Sequence, residues 1–244
     1  MKLQGKMSDI AVESKLLMQT LPVISYLPPD YDPDRRYPLL IAQDGRDYLQ
    51  IGRLFSTADD WIGKNIIRAI IVIAIPYENL ESRRQLYHPD GPKNRSYLRA
   101  LSEEIVPQIA GRISIDPDPE SRTLIGDSLG GTVSLAAALE RPDLFRGVIM
   151  QSPYVNERII EQIGSTEAIR ALSIYHSIGR EETAVKTTRG TVEDFLLPNR
   201  MLHRALSRSG PNHYTFHELD GGHTWRSWKP DVRSALLERF YADA

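Results

Sequence analysis

The chain has 244 residues, 41% of them hydrophobic and 25% charged, and its 30 Lys and Arg against 32 Asp and Glu leave a formal charge of −2. That balance gives no general electrostatic reason to bind nucleic acid or an anionic membrane surface. No cysteine is present, which excludes disulfides, thiolate metal sites and a cysteine nucleophile.

The N-terminal MKLQGKMSDIAVES has lysines but no apolar core of signal-peptide length before Asp9, and no later stretch approaches the length of a membrane span. A cytoplasmic protein of one α/β domain over residues 1–244 is therefore expected. Val23–Leu27 and Pro38–Ala42 read as early strands separated by the loop Pro28-Pro29-Asp30-Tyr31-Asp32. Arg68–Pro76 (RAIIVIAIP) is almost continuously apolar and β-branched, the pattern of a central strand covered on both faces. Tyr77–Ser96 is polar, weakly periodic and rich in Arg, Pro and Gly, so residues 77–96 read as a long loop of the kind that carries function. Tyr97–Arg112 then reads as a helix, Ser121–Ile125 as a short buried strand, and Thr132–Leu139 as a helix that stops before Pro142. Gly147–Met150, Leu172–Tyr175 and Tyr214–Leu219 supply further strands, and Val192–Ser209 and Pro230–Tyr241 further helices. Strands alternating with helix-length stretches predict a mostly parallel sheet flanked by helices.

The residues with the most chemical content are Gly126-Asp127-Ser128-Leu129-Gly130, a G-x-S-x-G between a strand and a helix. A serine hydroxyl is a weak nucleophile until a sharp turn presents it to a base, and glycines two before and two after remove the side chains that would clash across the turn. The bland reading, a glycine-rich turn with a surface serine, is disfavoured by that flanking context. A serine nucleophile needs a histidine base and an acid that orients it. His223 lies in Asp220-Gly221-Gly222-His223 directly after a predicted strand, where two glycines permit a sharp loop. His176, His203, His213 and His217 fall in or beside regular elements and read as structural. The acid is expected after Leu172–Tyr175, which leaves Glu181 and Glu182 both open; Asp220 is too near His223 in sequence to reach its far ring nitrogen. One oxyanion donor is expected from the Leu129 N–H and a second from Gly45 or Arg46, after the strand Pro38–Ala42. The histidines show no metal-ligand spacing, and no metal or cofactor is expected.

These segments resemble the esterase family that includes esterase D, microbial feruloyl esterases, mycolyltransferases and enterochelin-type siderophore esterases. The marks are LPPDYDPDRRYPLLIAQDG, GDSLGG, ALERPDLFRGVIMQSP, SIGREE and GGHTWRSW, spread over most of the chain. The resemblance implies an α/β-hydrolase fold, with Ser128 as nucleophile, His223 as base and Glu182, three after Gly179, as acid. It is nearest to bacterial intracellular siderophore trilactone hydrolases, although Gln85 stands where those proteins commonly have a glutamate. Arg83, Arg84, Lys93, Arg95 and Arg99 face only Asp90 across their stretch, with Tyr87 and Tyr97 interleaved, so Arg83, Arg84 and Tyr87 are candidates to bind an anionic catecholate ester. Trp225 is a candidate wall of the acyl pocket, or else packs the last helix. The expected partner is a small-molecule ester rather than nucleic acid or membrane. The alternatives are an acetyl or feruloyl esterase on carbohydrate or aryl esters and, in another class, a binding protein on a hydrolase scaffold.

Overall fold

A computed structural model describes residues 3–242. Its centre is an eight-stranded sheet in the order β1-β2-β4-β3-β5-β6-β7-β10. The strands are β1 (Lys6–Ser14), β2 (Gln19–Leu27), β3 (Leu39–Ala42), β4 (Ile71–Ala74), β5 (Arg122–Asp127), β6 (Gly147–Gln151), β7 (Ser173–Gly179) and β10 (His213–Leu219). β1 and β2 form an antiparallel hairpin, β2 joins β4 antiparallel, and every pair from β4 to β10 is parallel. This is the mostly parallel, helix-flanked sheet of an α/β hydrolase.

The apolar runs become central strands because successive side chains enter two different cores. Leu39 and Ile41 of β3 join Ile71, Ile73, Leu124 and Val148 on one face, while Leu40 and Ala42 join Val72, Ala74, Ile125 and Ile149 on the other. Fully burying each larger side chain stabilises the fold by about 1.5–3 kcal/mol, and the polar residues that do enter mid-strand, such as His176 and Ser177 on β7, are hydrogen-bonded. The parallel order sends the carboxyl ends of β3, β5, β6 and β7 to one edge, where ligand sites of such sheets form.

The helices depart from the sequence reading in informative ways. Residues 77–96 are not one long loop: α3 (Leu80–Tyr87) lies inside, started by a reciprocal cap in which the Asn79 side chain accepts from Ser82 N–H and the Ser82 hydroxyl accepts from Asn79 N–H. α1 (Gly45–Gln50), α2 (Leu54–Gly63) and α7 (Glu157–Ser165) were not foreseen, nor was β1. The expected helix over 97–112 is α4 (Asn94–Ala100), a π-helical turn Leu101–Ile105, and α5 (Val106–Ala110). Of the strand foreseen over 68–76 only β4 is ladder-paired as a strand, because Arg68 N–H turns away to the Phe240 carbonyl at 2.9 Å.

The helix expected over 192–209 begins later. Val192–Glu193 (β9) pairs with Val185–Lys186 (β8) in a small hairpin, and α8 (Leu196–Ser209) follows, with Asp194 accepting from Leu197 N–H. α6 (Leu129–Glu140) occupies the predicted place behind β5, and α9 (Trp225–Phe240) starts five residues before Pro230. No helix among the described residues is long and apolar enough to cross a membrane.

Candidate active site

β5 enters the elbow and α6 leaves it, with Ser128 between them at φ 51°, ψ −124°. A non-glycine residue held there stores of the order of 1–3 kcal/mol, which the flanking packing must offset. Here Ser128 N–H donates to the Gln151 carbonyl on β6 at 2.9 Å, pinning the turn to the sheet. A Cβ at Gly126 would stand 2.2 Å from the Gly130 carbonyl carbon, so the chain crosses itself too closely for any side chain.

His223 reaches this serine from the loop between β10 and α9. Its Nε2 accepts from the Ser128 hydroxyl at 3.1 Å, and its Nδ1–H donates to Glu182 Oε2 at 2.6 Å. Phe195 and Trp228 wall the imidazole, with ring centroids 4.5 and 4.8 Å away. Glu182 is fully buried, and its second oxygen accepts from the Gly179 N–H at 2.8 Å and the Ser152 hydroxyl at 2.6 Å. Trp228 Nε1–H in turn donates to that hydroxyl at 2.9 Å. The geometry separates the two glutamates left open by the sequence: Glu182 faces the imidazole, whereas Glu181 is exposed. Asp220 points outward and pairs with Arg180.

The two candidate donors after β3 differ in their main-chain bonding. Gly45 N–H is already donated to the Ile75 carbonyl at 2.9 Å. Arg46, next along in the first turn of α1, makes no such main-chain donation among the described residues, nor does Leu129 in the first turn of α6. Both helix N-termini direct their partial positive charge toward the elbow's edge of the sheet.

The family model described as "Putative esterase" matches residues 14–238. The chain belongs to that esterase family. Ester-bond hydrolysis is the activity class this membership gives. It is 41% identical to YjcH of Bacillus subtilis (strain 168), a protein described only as uncharacterized, over 95% of this chain and 96% of that one. Among solved structures, the enterobactin esterase of Shigella flexneri, crystallised in the presence of enterobactin, superposes with a TM-score of 0.80 at 18% identity, over 96% of this chain. The present chain spans 59% of the length of that protein. A ferulic acid esterase superposes with a TM-score of 0.78 at 16% identity, over 97% of this chain and 98% of its own.

The esterase has a cleft of about 110 Å³ above Ser128, lined by Arg84, His88, Tyr154, Phe195, His223 and the β8–β9 hairpin. Two expected substrate contacts lie elsewhere. Tyr87 is buried in the core against Tyr97, ring centroids 5.2 Å apart, because α3 turns its C-terminal apolar residues inward. Trp225 packs edge-on against Tyr48 at 4.9 Å and covers Gly52, so it joins α9 to α1 rather than walling the cleft. Arg83 borders the cleft, but its guanidinium is engaged by Asp44 in a bidentate pair at 2.7 and 2.6 Å. Arg84 is the member of the basic run that stays at the cleft without such a pair among the described residues.

Sequence reasoning missed His88, Tyr154 and the hairpin cations Lys186 and Arg189, all of which line the cleft. His88 packs at a tilt against Tyr154 with centroids 5.0 Å apart, and burial, with Arg84 nearby, holds its imidazole below the ordinary histidine range. The HP dipeptide at His88-Pro89 marks the end of α3, the one local signal that could have drawn attention to it. Among the described residues no group of three or more His, Asp or Glu could hold a metal ion.

Proposed function

We propose that the protein is a serine carboxylic-ester hydrolase that works through an acyl-enzyme. The observation that carries this reading is the continuous hydrogen-bonded line Ser128–His223–Glu182, at 3.1 and 2.6 Å, with the serine on a strained elbow. His223 Nε2 takes the hydroxyl proton as Ser128 Oγ attacks the ester carbonyl, and the imidazolium so formed is stabilised by buried Glu182. The tetrahedral oxyanion is met by the N–H groups of Leu129 and Arg46. His223 then gives the proton to the departing alcohol, and water repeats the sequence on the acyl-enzyme.

The favoured substrates are catecholate trilactone siderophore esters. Supporting this are the likeness to the enterobactin esterase and the cleft cations Arg84, Lys186 and Arg189, which face Glu193 as the one carboxylate of that lining. A second reading is a feruloyl-type aryl esterase, favoured because the ferulic acid esterase matches end to end. The cleft volume of about 110 Å³ is on the scale of the ~150 Å³ cavity that admits one benzene ring, so it receives one aromatic arm in either case.

Turnover of a short p-nitrophenyl ester tests the chemistry: Ser128→Ala is expected to abolish it, and wild-type turnover by that variant would refute the mechanism. Side-by-side kcat/KM on a catecholate trilactone and on feruloylated or acetylated sugars tests the substrate, and a clear preference for the sugars would reverse the ranking.

A further inference from the structure

Beneath Ser128, three ionisable side chains meet that proton transfer does not use. Asp44 is the N-cap of α1, Asp127 precedes the nucleophile at the end of β5, and Arg83 reaches down from α3. Arg83 grips both oxygens of Asp44 and donates from Nη2 to the Asp127 carbonyl at 3.2 Å, with the same nitrogen 3.9 Å from Asp127 Oδ2. Asp44 and Asp127 are 1% and 7% exposed.

One guanidinium cannot neutralise two buried carboxylates, and Asp127 Oδ1 has no hydrogen-bond partner among the described residues. Burial, followed by the neighbouring Asp44 charge, pushes the Asp127 carboxyl well above the usual carboxylate range. The other ionisable groups packed around the pair do not supply a second cation. They are Asp47 and Tyr48 on α1, Tyr77 ahead of α3, Tyr87 on α3 and Tyr97 on α4. Asp47 is itself engaged by the Tyr77 hydroxyl at 2.9 Å.

The position of this cluster gives it a role. Asp44 sits at φ 53° and opens the helix turn that holds the Arg46 N–H, and a Cβ at Gly130 would lie 2.6 Å from Asp44 Oδ2. The cluster therefore ties α3, the oxyanion turn of α1 and the elbow together. We infer that Asp127 is held protonated and, with the Arg83–Asp44 pair, completes a neutral clamp that positions the oxyanion turn against the nucleophile. Arg83 is on this account a positioning residue and not a substrate anchor. Neutrality matters because an ionised Asp127, one residue from Ser128, would oppose the negative charge that develops on the substrate oxygen. The inference rests on the serine-esterase reading above.

An infrared difference spectrum at neutral pH between the protein and Asp127→Asn tests the proton on Asp127. The carbonyl stretch of one protonated carboxyl is expected to vanish on substitution. Steady-state kinetics on a neutral p-nitrophenyl ester test the positioning. Asp127→Asn, which is neutral and of nearly the same shape, is expected to retain most of kcat. Asp44→Asn and Arg83→Met are expected to lower kcat by roughly a hundredfold with little change in KM, the size of losing one oxyanion donor. Absence of the protonated-carboxyl band, a loss in Asp127→Asn as large as in Asp44→Asn, or an Arg83→Met effect confined to KM would each overturn the clamp. Should Asp44→Asn fail to fold, the spectrum and the Asp127→Asn rate still decide. Fluorophosphonate labelling of wild-type Ser128 keeps the two readings apart. Ester turnover without labelling defeats the nucleophile assignment, whereas labelling without the carboxyl band defeats the clamp alone.

Discussion

The floor and the rim of the cleft are built on opposite plans. On the floor, Ser128, Glu182 and His223 come from the ends of β5, β7 and β10, and Glu182 is fully buried with both oxygens satisfied by named donors. On the rim, Lys186 and Arg189 ride on a two-plus-two-residue hairpin with no core of its own and lie exposed. Buried, hydrogen-bonded groups hold one geometry, while exposed cations adapt to what arrives. Damage to the floor should therefore appear in kcat, and damage to the rim in KM.

The largest expected effect is on the floor. Ser128→Ala or His223→Ala should lower kcat on the order of 10⁴- to 10⁶-fold, with KM for a p-nitrophenyl ester little changed. Glu182→Gln should follow at about 10³- to 10⁴-fold, because the amide cannot stabilise the imidazolium, while exposed Glu181→Gln stays near wild type. A large loss in the Glu181 variant with little in the other would break the assignment of floor and surface.

Gly126→Ala tests how tightly the floor is packed. Its Cβ would collide with the Gly130 main chain at 2.2 Å, and the expected loss is about 1–3 kcal/mol or more, read as a lowered Tm together with lost fluorophosphonate labelling. The rim should respond more gently: Lys186→Glu and Arg189→Glu are each expected to raise KM for an anionic ester about two- to fivefold and to leave a neutral ester unaffected. An equal effect on both esters would remove the hairpin from recognition.

Away from the cleft, His176 offers the smallest effect on turnover. Burial lowers its pKa to about 4, and its ring hydrogen-bonds Asn199 Oδ1 at 2.8 Å and Tyr214 at 3.1 Å. The unfolded chain, with an ordinary histidine value near 6.5, binds this proton first. The associated stability is therefore present above that value and is lost as pH falls toward 4, by at most about 3 kcal/mol. His176→Gln should flatten the fall of Tm over that window without changing kcat at neutral pH; an unchanged slope would contradict it.

How much was legible in the sequence follows the same division. The elbow could be read because its requirements are local: glycines at 126 and 130 and apolar β5 before them. His223 could be found because Gly221-Gly222 announces a sharp loop after β10. Choosing Glu182 over Glu181 from residues alone was not possible, since what separates them is Ser152, brought in by β6 from thirty positions away. Gly45 and Arg46 could not be told apart for a similar reason, since Gly45 N–H is engaged by the Ile75 carbonyl just past the end of β4. α3 was hidden because a short, half-exposed helix carries a polar sequence with only Leu86 and Tyr87 buried, and its Asn79–Ser82 cap is a weak pattern among many. The hairpin was absorbed into α8 because two-residue strands leave no periodicity to detect.

Nucleophilic catalysis by Ser128 predicts one covalent bond that can be trapped. Intact-protein mass spectrometry after exposure to a fluorophosphonate, with peptide mapping, should show a single adduct on Ser128, absent from Ser128→Ala and suppressed by an ester substrate. An unmodified protein that still hydrolyses esters, or an adduct on another residue, would contradict the assignment of Ser128 as nucleophile.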